Sequence, residues 1–519
     1  MSKPIIIGSR GSDLALWQAY YTKDLLENLG HQVEIVIIKT QGDRIQHLSF
    51  DKMEGKGFFT KELEDALLNK DIDLAVHSHK DLPTTNPEGL IIAAVSYRED
   101  CTESILIKPQ AFDSTSLFGI KPGSIVGTSS LRRKSQLLHY QPDLQVNDLR
   151  GNVPTRVKKL QDGKYDAILL ASAGLNRLRL EPEGLIRKVM PETIFIPAPA
   201  QGVLAYQIRE DDLDLLGALQ FLNNEDVAKT ISIERTVLNK LDGGCQLPLG
   251  VYSNHSDSGY SSWVSLQPLD GSGYRRFFNH ADSTQTAITQ ILERIHASEN
   301  RRVFISREAD DANLFIKQLT SFGFDVLAQA PISSETIEVN HLPFTDWIFF
   351  TSPKCVHHFF GQDLHVPEVC QIAALGSGTA NALAHTGAHV SFVGEDGDVT
   401  ITAERFLNQV KGKSILFPVA EAGLRTVQQV IGEQAEVHNI NVYRTLQNRD
   451  YKGFEADIAV FTSPSNVEIA GGFNDLTSLT CVAIGDTTAQ ALKAKGCTKV
   501  YTAPFTTEQA LADLVCGLS

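Results

Sequence analysis

The chain has 519 residues, 42% hydrophobic and 21% charged, with 47 Lys/Arg against 62 Asp/Glu for a formal net charge of −15. That length exceeds a single core and implies roughly three to five domains, while the acidic balance argues against a general nucleic-acid binder. No apolar run approaches a membrane span and no basic, apolar leader opens the chain, so a soluble cytoplasmic protein is expected. The seven cysteines form no CxxC pair or zinc-like cluster, so neither a metal nor a disulfide scaffold is expected.

Strand and helix signals alternate over the first 220 residues. Pro4–Gly8 reads as a strand, and Leu14, Trp17, Tyr21, Leu25 and Leu29 follow at helical spacing to a stop at Gly30. Glu34–Thr40 reads as a strand and Phe58–Asn69 as a helix; Asp73–Ser78, Ser124–Gly127 and Asp166–Ala171 read as strands. This is a multidomain α/β pattern, with functional residues expected at the carboxyl ends of strands. A break at Arg98–Cys101 and a return near Pro197–Tyr206 suggest two lobes crossed twice by the chain: 1–99 with 197–220, and 100–196. Residues 221–295 read as a small α+β third domain, with a helix over 228–241 and strands around Trp263 and Arg275–Phe278; the polar stretch 296–302 reads as a linker.

Residues 301–519 contain an internal echo. Phe350-Thr-Ser-Pro353 recurs 111 residues later as Phe461-Thr-Ser-Pro464, and ALGSGTANAL (374–383) recurs 109 residues later as AIGDTTAQAL (483–492). Two motifs that keep nearly the same offset indicate a duplicated α/β unit.

The charge is unevenly spread: residues 101–200 hold 14 Lys/Arg against 9 Asp/Glu, whereas 301–519 hold 15 against 24. Four stretches carry polar groups at strand ends or helix starts: GSRGS (8–12) with Arg10, VHSHKDLP (76–83), GTSSLRR (127–133) with Arg132 and Arg133, and RGNVPTR (150–156) with Arg150 and Arg156. A solvated surface is the ordinary reading of each stretch alone. Four at equivalent topological places favour five convergent arginines, whose forks bind carboxylates or phosphates bidentately. Arginines at a helix start oppose the helix dipole unless an anion sits among them.

Asp81 does not match that field. It either pairs off with a cation or faces a cationic substrate group that arginines could not stabilise. His77 and His79 fall on opposite faces of an extended segment, against a metal pair. Lys56 and Lys61 flank Gly55-Lys-Gly-Phe-Phe59, either a surface loop or a segment that closes over the site. Cys245, in the glycine-rich turn DGGCQLP (242–248), is either a small buried hydrophobe or a reactive, modified thiol.

Seven motifs in order resemble the hydroxymethylbilane synthase (porphobilinogen deaminase) family over about 3–295: GSRGSDLALWQA (8–19), GKGFFTKELE (55–64), VHSHKDLPT (76–84), GTSSLRRKSQL (127–137), RGNVPTR (150–156), PAPAQGVLAYQIRE (197–210) and GGCQLPLG (243–250). The resemblance implies a three-domain fold whose two lobes are like those of periplasmic binding proteins. It also implies head-to-tail joining of four porphobilinogen units with loss of ammonia. One dipyrromethane cofactor would be held as a thioether on Cys245, with no metal. Asp81 would be the acid/base that protonates the leaving amine and stabilises the azafulvene-like cation. Lys80, Asp81, Ser129, Ser130, Arg132, Arg133 and Arg150 would contact the cofactor. Arg10, Ser12, Lys56, Phe59, Lys61, Arg156 and Gln201 would contact substrate or the growing chain, Gln201 from the crossing between lobes.

Residues 301–519 resemble uroporphyrinogen-III synthase through the paired FTSP motifs, VYRT (442–445), AIGDTTAQAL (483–492) and TTEQALADL (506–514). This implies two α/β domains, 301–335 with 445–519 and 336–444, that close the linear tetrapyrrole while inverting its last ring. Thr351, Ser352, Ser377, Tyr443, Thr462, Ser463, Thr487 and Thr488 would line that site. Two departures stand out: Arg307-Glu308 replaces the family's Arg-Pro opening, and Asp486 replaces the proline of IGPTT.

The expected whole is a monomeric bifunctional enzyme of tetrapyrrole biosynthesis, acting on porphobilinogen and the linear tetrapyrrole. Competing readings are a deaminase with a degenerate C-terminal partner, and a non-catalytic two-lobe solute-binding module. Nucleic-acid binding ranks below both, since the basic band lacks aromatic interleaving.

Overall fold

The computed structural model describes residues 3–40, 60–114, 116–241, 247–268, 273–310, 313–362, 364, 366–367, 369–394, 399–423 and 425–518. The chain divides into two compact units. One comprises residues 1–299 with 317–323 and 512–519; the other comprises 300–316 with 324–511.

Among the described residues the first unit holds three sheets. Strands β1 (Ile5–Ser9), β2 (Val33–Ile37), β3 (Leu74–Ser78) and β4 (Leu90–Val95) join β10 (Leu204–Arg209) in the order β2-β1-β3-β10-β4. β1 runs parallel to β2 and β3, whereas β10 returns antiparallel between β3 and β4. Strands β5 (Glu103–Ile107), β6 (Ile125–Gly127), β7 (Gln145–Asn147), β8 (Ala167–Ala171) and β9 (Ile186–Met190) form the second sheet, ordered β7-β6-β8-β5-β9. The third is the meander β11 (Leu249–Ser256), β12 (Gly259–Leu266) and β13 (Arg275–Ala281).

The first helix forms where the sequence periodicity places it, but its buried face is Gln18, Ala19, Thr22 and Leu26, one position on from the Leu14, Trp17, Tyr21 and Leu25 stripe, which is only partly buried. The helix Asp13–Asn28 buries Leu26 with Ile7, Leu74, Val76 and Tyr206, and Gly30 at φ 91° ends it. The second sheet packs Ile105, Ile107, Val126 and Leu169 on Leu137 and Phe195. The helix Glu225–Lys240 is tied to the stretches around Arg98 and Ala200 by Glu234. Its carboxylate takes Arg98 Nη1 at 2.7 Å, the Ala200 N–H at 2.7 Å and the Ser253 N–H at 2.8 Å. Beside it Gly202 has φ 89°, and a Cβ there would lie 2.4 Å from the Glu99 carbonyl oxygen, so only glycine fits.

Among the described residues the second unit holds two sheets. β14 (Arg302–Ile305), β15 (Asp325–Ala328), β22 (Ile458–Phe461), β23 (Thr480–Ala483) and β24 (Val500–Thr502) form one, parallel throughout, ordered β15-β14-β22-β23-β24. β16 (Ile332–Thr336), β17 (Trp347–Phe350), β18 (Gln371–Ala374), β19 (Val390–Val393), β20 (Ser414–Ala420) and β21 (Glu436–Gln447) form the other, ordered β16-β21-β20-β17-β18-β19. The sequence echo appears here as repeated geometry. Ser352 after β17 and Ser463 after β22 cap the helices Pro353–Phe360 and Pro464–Ala470 with the same backbone, φ −160° and −162° at ψ 157°. Gly376 and Gly485 likewise cap the helices Ser377–His385 and Asp486–Ala494. The chain passes from the first of these sheets to the second between Ala328 and Ile332 and returns between Gln447 and Ile458; the strands on the far side of those passages, β16 and β21, pair antiparallel, with Thr336 facing Tyr443 and Glu335 facing Arg444.

Candidate functional site

In the first unit β1, β3 and β6 each end where a polar motif begins. Ser12 caps the helix Asp13–Asn28 by accepting from Ala15 N at 3.4 Å, and Ser130 caps Leu131–Tyr140 by accepting from Arg133 N at 3.5 Å. Ser129 Oγ donates to the Leu149 carbonyl at 3.1 Å and accepts from the Leu149 N–H at 3.0 Å, tying the end of β6 to the stretch before Arg150. These three hydroxyls therefore serve their own backbone, in addition to any ligand role read from the motifs.

The charge of the Arg132–Arg133 pair is compensated from within. Glu103, fully buried at the start of β5, takes Arg132 Nη2 at 2.6 Å on one oxygen and Arg133 Nη2 at 2.7 Å on the other. Arg132 Nη1 also donates to the Ile196 carbonyl at 2.9 Å, and Arg133 Nη1 to that of Leu169 at 3.1 Å. Burial pushes the Glu103 carboxyl up, but Arg133, Arg132 and Lys80 outweigh it and hold the group at about 2. Sequence reasoning missed Glu103. Its only signal is a charged residue opening the apolar run ESILI (103–107).

Gln201, wholly buried at the lobe crossing, joins this triad to the other lobe. Its Nε2 donates to the Cys101 carbonyl at 2.8 Å and to Glu103 at 3.2 Å, while its Oε1 accepts from Lys80 Nζ at 3.1 Å. Burial, with Arg133 and Arg132 nearby, lowers Lys80 to about 8 against the pull of Asp81 and Glu103. Arg156 is lowered to about 10 by burial and by Arg133 and Arg150, and Asp81 again resists the shift. The exposed Asp81, at the end of the turn His79–Asp81 that leaves β3, is thus a neighbouring negative charge to both Lys80 and Arg156. A further residue missed from sequence, Arg235, holds that turn: its guanidinium donates to the carbonyls of His79, Leu82 and Pro83 at 3.3, 2.9 and 2.5 Å.

Arg10 follows β1, and its charge reaches His77. The half-buried Arg150 precedes the helix Val153–Gln161, on which Arg156 lies. Lys61 opens the helix Lys61–Leu68 and is exposed, whereas Lys56, Phe59 and Cys245 lie outside the described residues. Among the described residues no group of three or more His, Cys, Asp or Glu could hold a metal.

This donor set fits a polycarboxylate. Arg133 Nε is buried with no hydrogen-bond partner among the described residues, and the hydrogen bond given for the Arg156 side chain, from Nε to the Gly151 carbonyl at 2.7 Å, leaves the rest of its fork to a ligand.

In the second unit Ser352 Oγ accepts from Cys355 N at 3.2 Å and donates to Cys355 Sγ at 3.2 Å; Thr351 Oγ1 lies 3.7 Å from the same sulfur. Ser463 accepts from Asn466 N at 3.2 Å, and the Thr462 N–H donates to Ser306 Oγ at 3.0 Å. Ser377 opens its helix. In the first turn of Asp486–Ala494, Thr488 is buried while Asp486 and Thr487 are exposed. Tyr443 lies on β21, with its phenol pushed up by burial and by Cys355, and pulled back by Ser352. Arg307 and Glu308 follow β14, and Glu308 Oε1 accepts from Ala330 N at 3.3 Å.

An arginine–lysine array with one neighbouring carboxylate, drawn from the ends of strands in two sheets, suits a small molecule that bears several carboxylates and an amine. Family comparison agrees. Residues 5–217 match the porphobilinogen deaminase, dipyromethane cofactor binding domain, and 228–269 match the porphobilinogen deaminase C-terminal domain. Residues 283–513 match uroporphyrinogen-III synthase HemD. The chain is 45% identical over 280 residues to a porphobilinogen deaminase of Gloeobacter violaceus, covering 53% of this chain and 84% of that one. With a porphobilinogen deaminase of Helicobacter hepaticus it shares 41% identity over 310 residues, or 60% and 92% of the two chains. A uroporphyrinogen-III synthetase structure from Helicobacter pylori covers 41% of this chain and 98% of that one, at 18% identity and a TM-score of 0.32. The chain belongs to the porphobilinogen deaminase family and carries a HemD-like uroporphyrinogen-III synthase domain in the same polypeptide.

Proposed function

We propose that the chain joins four porphobilinogen units into hydroxymethylbilane with release of ammonia, then closes that product to uroporphyrinogen III. The observation that carries the first half is Asp81 as a neighbouring negative charge to Lys80 and Arg156 beside the Glu103-anchored arginines. The arginines and Lys80 bind acetate and propionate groups. Asp81 hands a proton to the leaving amine and, once charged, offsets the cation left on the pyrrole. Ser12, Ser129 and Ser130 set the backbone from which Arg10, Arg132 and Arg133 project.

Cys245 is the proposed thioether anchor, with Arg132, Arg133 and Arg150 holding the carboxylates of the dipyrromethane. When bound, the dipyrromethane supplies the pyrrole carbon on which the chain grows. Lys56 and Phe59 are proposed to act from the segment preceding the helix Lys61–Leu68, and Lys61 from its first turn. The proposed division is two binding-protein-like lobes, 1–99 with 197–220 and 100–196, a third domain over 221–295, and synthase domains over 301–335 with 445–519 and over 336–444.

For the second half the supporting observation is the duplicated pair of capped strand-to-helix turns, which present Thr351, Ser352, Thr462, Ser463, Thr487 and Thr488 at helix starts. Tyr443, kept protonated by burial, is the proposed donor to the departing hydroxyl. Among the described residues no helix is long and apolar enough to cross a membrane; we place the enzyme in the cytoplasm as a monomer.

Intact mass tests the first half: the full chain should carry two linked pyrrole units that Cys245→Ala lacks. An unmodified yet active Cys245→Ala protein would refute the assignment. Porphobilinogen turnover tests the second half, with type III product expected; exclusive type I product would leave 301–519 without synthase activity.

A further inference from the structure

Tyr443 is held by a set of contacts that nothing in its own strand requires. β20 and β21 pair in register from Ser414–Glu436 to Val419–Asn441, and the register then shifts so that Ala420 faces Tyr443. Val442 is the extra residue, and its carbonyl accepts from Ile337 N at 2.9 Å, one step beyond the Thr336–Tyr443 pair of β16 and β21. A bulge of this kind re-aims the side chain that follows it. The re-aimed Tyr443 ring stacks on the imidazole of His358, with centroids 4.9 Å apart and planes 20° from parallel.

His358 is itself fixed from both sides. It sits on the helix Pro353–Phe360 and is 8% exposed; its Nδ1 lies 2.8 Å from Thr336 Oγ1 and its Nε2 lies 2.9 Å from Ser334 Oγ. Each hydroxyl can donate or accept, so both ring nitrogens are satisfied in either neutral tautomer. Thr336 is the cross-strand partner of Tyr443, and Ser334 lies two residues back on the same face of β16. Strand, helix and bulge therefore converge on one phenol. Simple packing of Tyr443 would be served by any apolar side chain at 358, without two hydroxyls placed for its nitrogens.

We propose that His358 is a positioning residue: anchored by Ser334 and Thr336, it fixes the Tyr443 ring, and with it the phenol, for the ring-closing reaction. This rests on the synthase reading above. It adds a residue that acts through Tyr443 without touching the tetrapyrrole.

The test supplies the full-length chain with hydroxymethylbilane and measures kcat and KM for type III product. His358→Ala is expected to lower kcat about 10–100-fold with KM changed by no more than about twofold. His358→Phe, which keeps the stacked ring, should recover part of the loss. In a Tyr443→Phe background His358→Ala should cost little more, because its effect runs through the phenol. An unchanged kcat in His358→Ala, or the same fractional loss in Tyr443→Phe, overturns the proposal. Should His358→Ala not fold, a Ser334→Ala, Thr336→Val double variant leaves the ring in place without its anchors. A several-fold lower kcat there supports the proposal, and an unchanged one overturns it. A wild-type chain that gives only type I product overturns the synthase reading and this proposal together, and the wild type alone reveals that failure.

Discussion

Glu103 Oε1 lies 2.6 Å from Arg132 Nη2, and its second oxygen takes Arg133 at 2.7 Å, all three side chains being buried. One internal carboxylate thus offsets the charge of two adjacent arginines, while the buried Arg133 Nε keeps no hydrogen-bond partner among the described residues. Removing it strands two buried cations. Glu103→Gln is therefore expected to cost about 3–5 kcal/mol of stability, read as a lower urea midpoint, and to lower the mass fraction carrying the two-pyrrole adduct. The carboxyl sits at about 2, below its ordinary 4.5. Its contribution is then complete above about pH 4.5 and is lost as pH falls through about 2. An unchanged urea midpoint in Glu103→Gln would show that the triad contributes no net stability.

His77 and His79 set a second, higher acid limb. Burial lowers His77 to about 4, with Arg10 adding to the effect against its hydrogen bond to Gln207; burial lowers His79 to about 3, helped by Arg235 and His77. Both are kept neutral in the folded chain but bind protons near 6.5 once unfolded. Stability is therefore full above about pH 6.5 and falls as pH drops toward 4 and then 3. At pH 5 each should forfeit about 1–2 kcal/mol. Urea unfolding between pH 7 and pH 5 should show that loss, and His77→Gln should flatten part of it. A midpoint constant over the range would rule this out.

The backbone was more legible than the electrostatics. Periodicity alone located the helix of Leu14, Trp17 and Leu25 and its stop at Gly30, because an apolar stripe and a left-handed glycine are local signals. The FTSP echo likewise appears as two capped turns of matching backbone, since a serine cap needs only its own next three residues. The partner of Arg132 and Arg133 was not legible. Glu103 lies 29 residues from Arg132, at the start of an antiparallel strand whose place between β8 and β9 is set by tertiary pairing. The same distance hid Arg235 from the turn that it holds, and His358 from Tyr443. Residues that meet a ligand come in motifs; residues that hold those motifs come from elsewhere in the chain.

Gly202 tests the crossing between lobes. With φ 89° and a virtual Cβ 2.4 Å from the Glu99 carbonyl, Gly202→Ala must both strain the backbone and push the segment around Glu99 away. The expected loss is at least about 1–3 kcal/mol. Because Gln201 is the adjoining residue, its hydrogen bonds to Lys80 and Glu103 should loosen as well. Calorimetry should show a lower Tm and turnover should fall with it. A Tm equal to wild type would mean that the crossing relaxes freely.

Asp81 separates chemistry from folding. Its carboxylate is exposed and meets Lys80 and Arg156 only as a neighbouring charge, so Asp81→Asn should change stability by less than about 0.5 kcal/mol. The same change removes the proposed proton carrier and the charge facing the cation, which should lower porphobilinogen consumption about 100- to 10,000-fold. It also withdraws a charge that raises Lys80, so that lysine should titrate below its present value of about 8. Amine acylation of Lys80, followed by peptide mass mapping from pH 6 to pH 9, should show its midpoint moving down in Asp81→Asn. Normal ammonia release in that variant would remove Asp81 from the chemistry, while an unmoved Lys80 midpoint would show that the carboxylate does not act on the lysine.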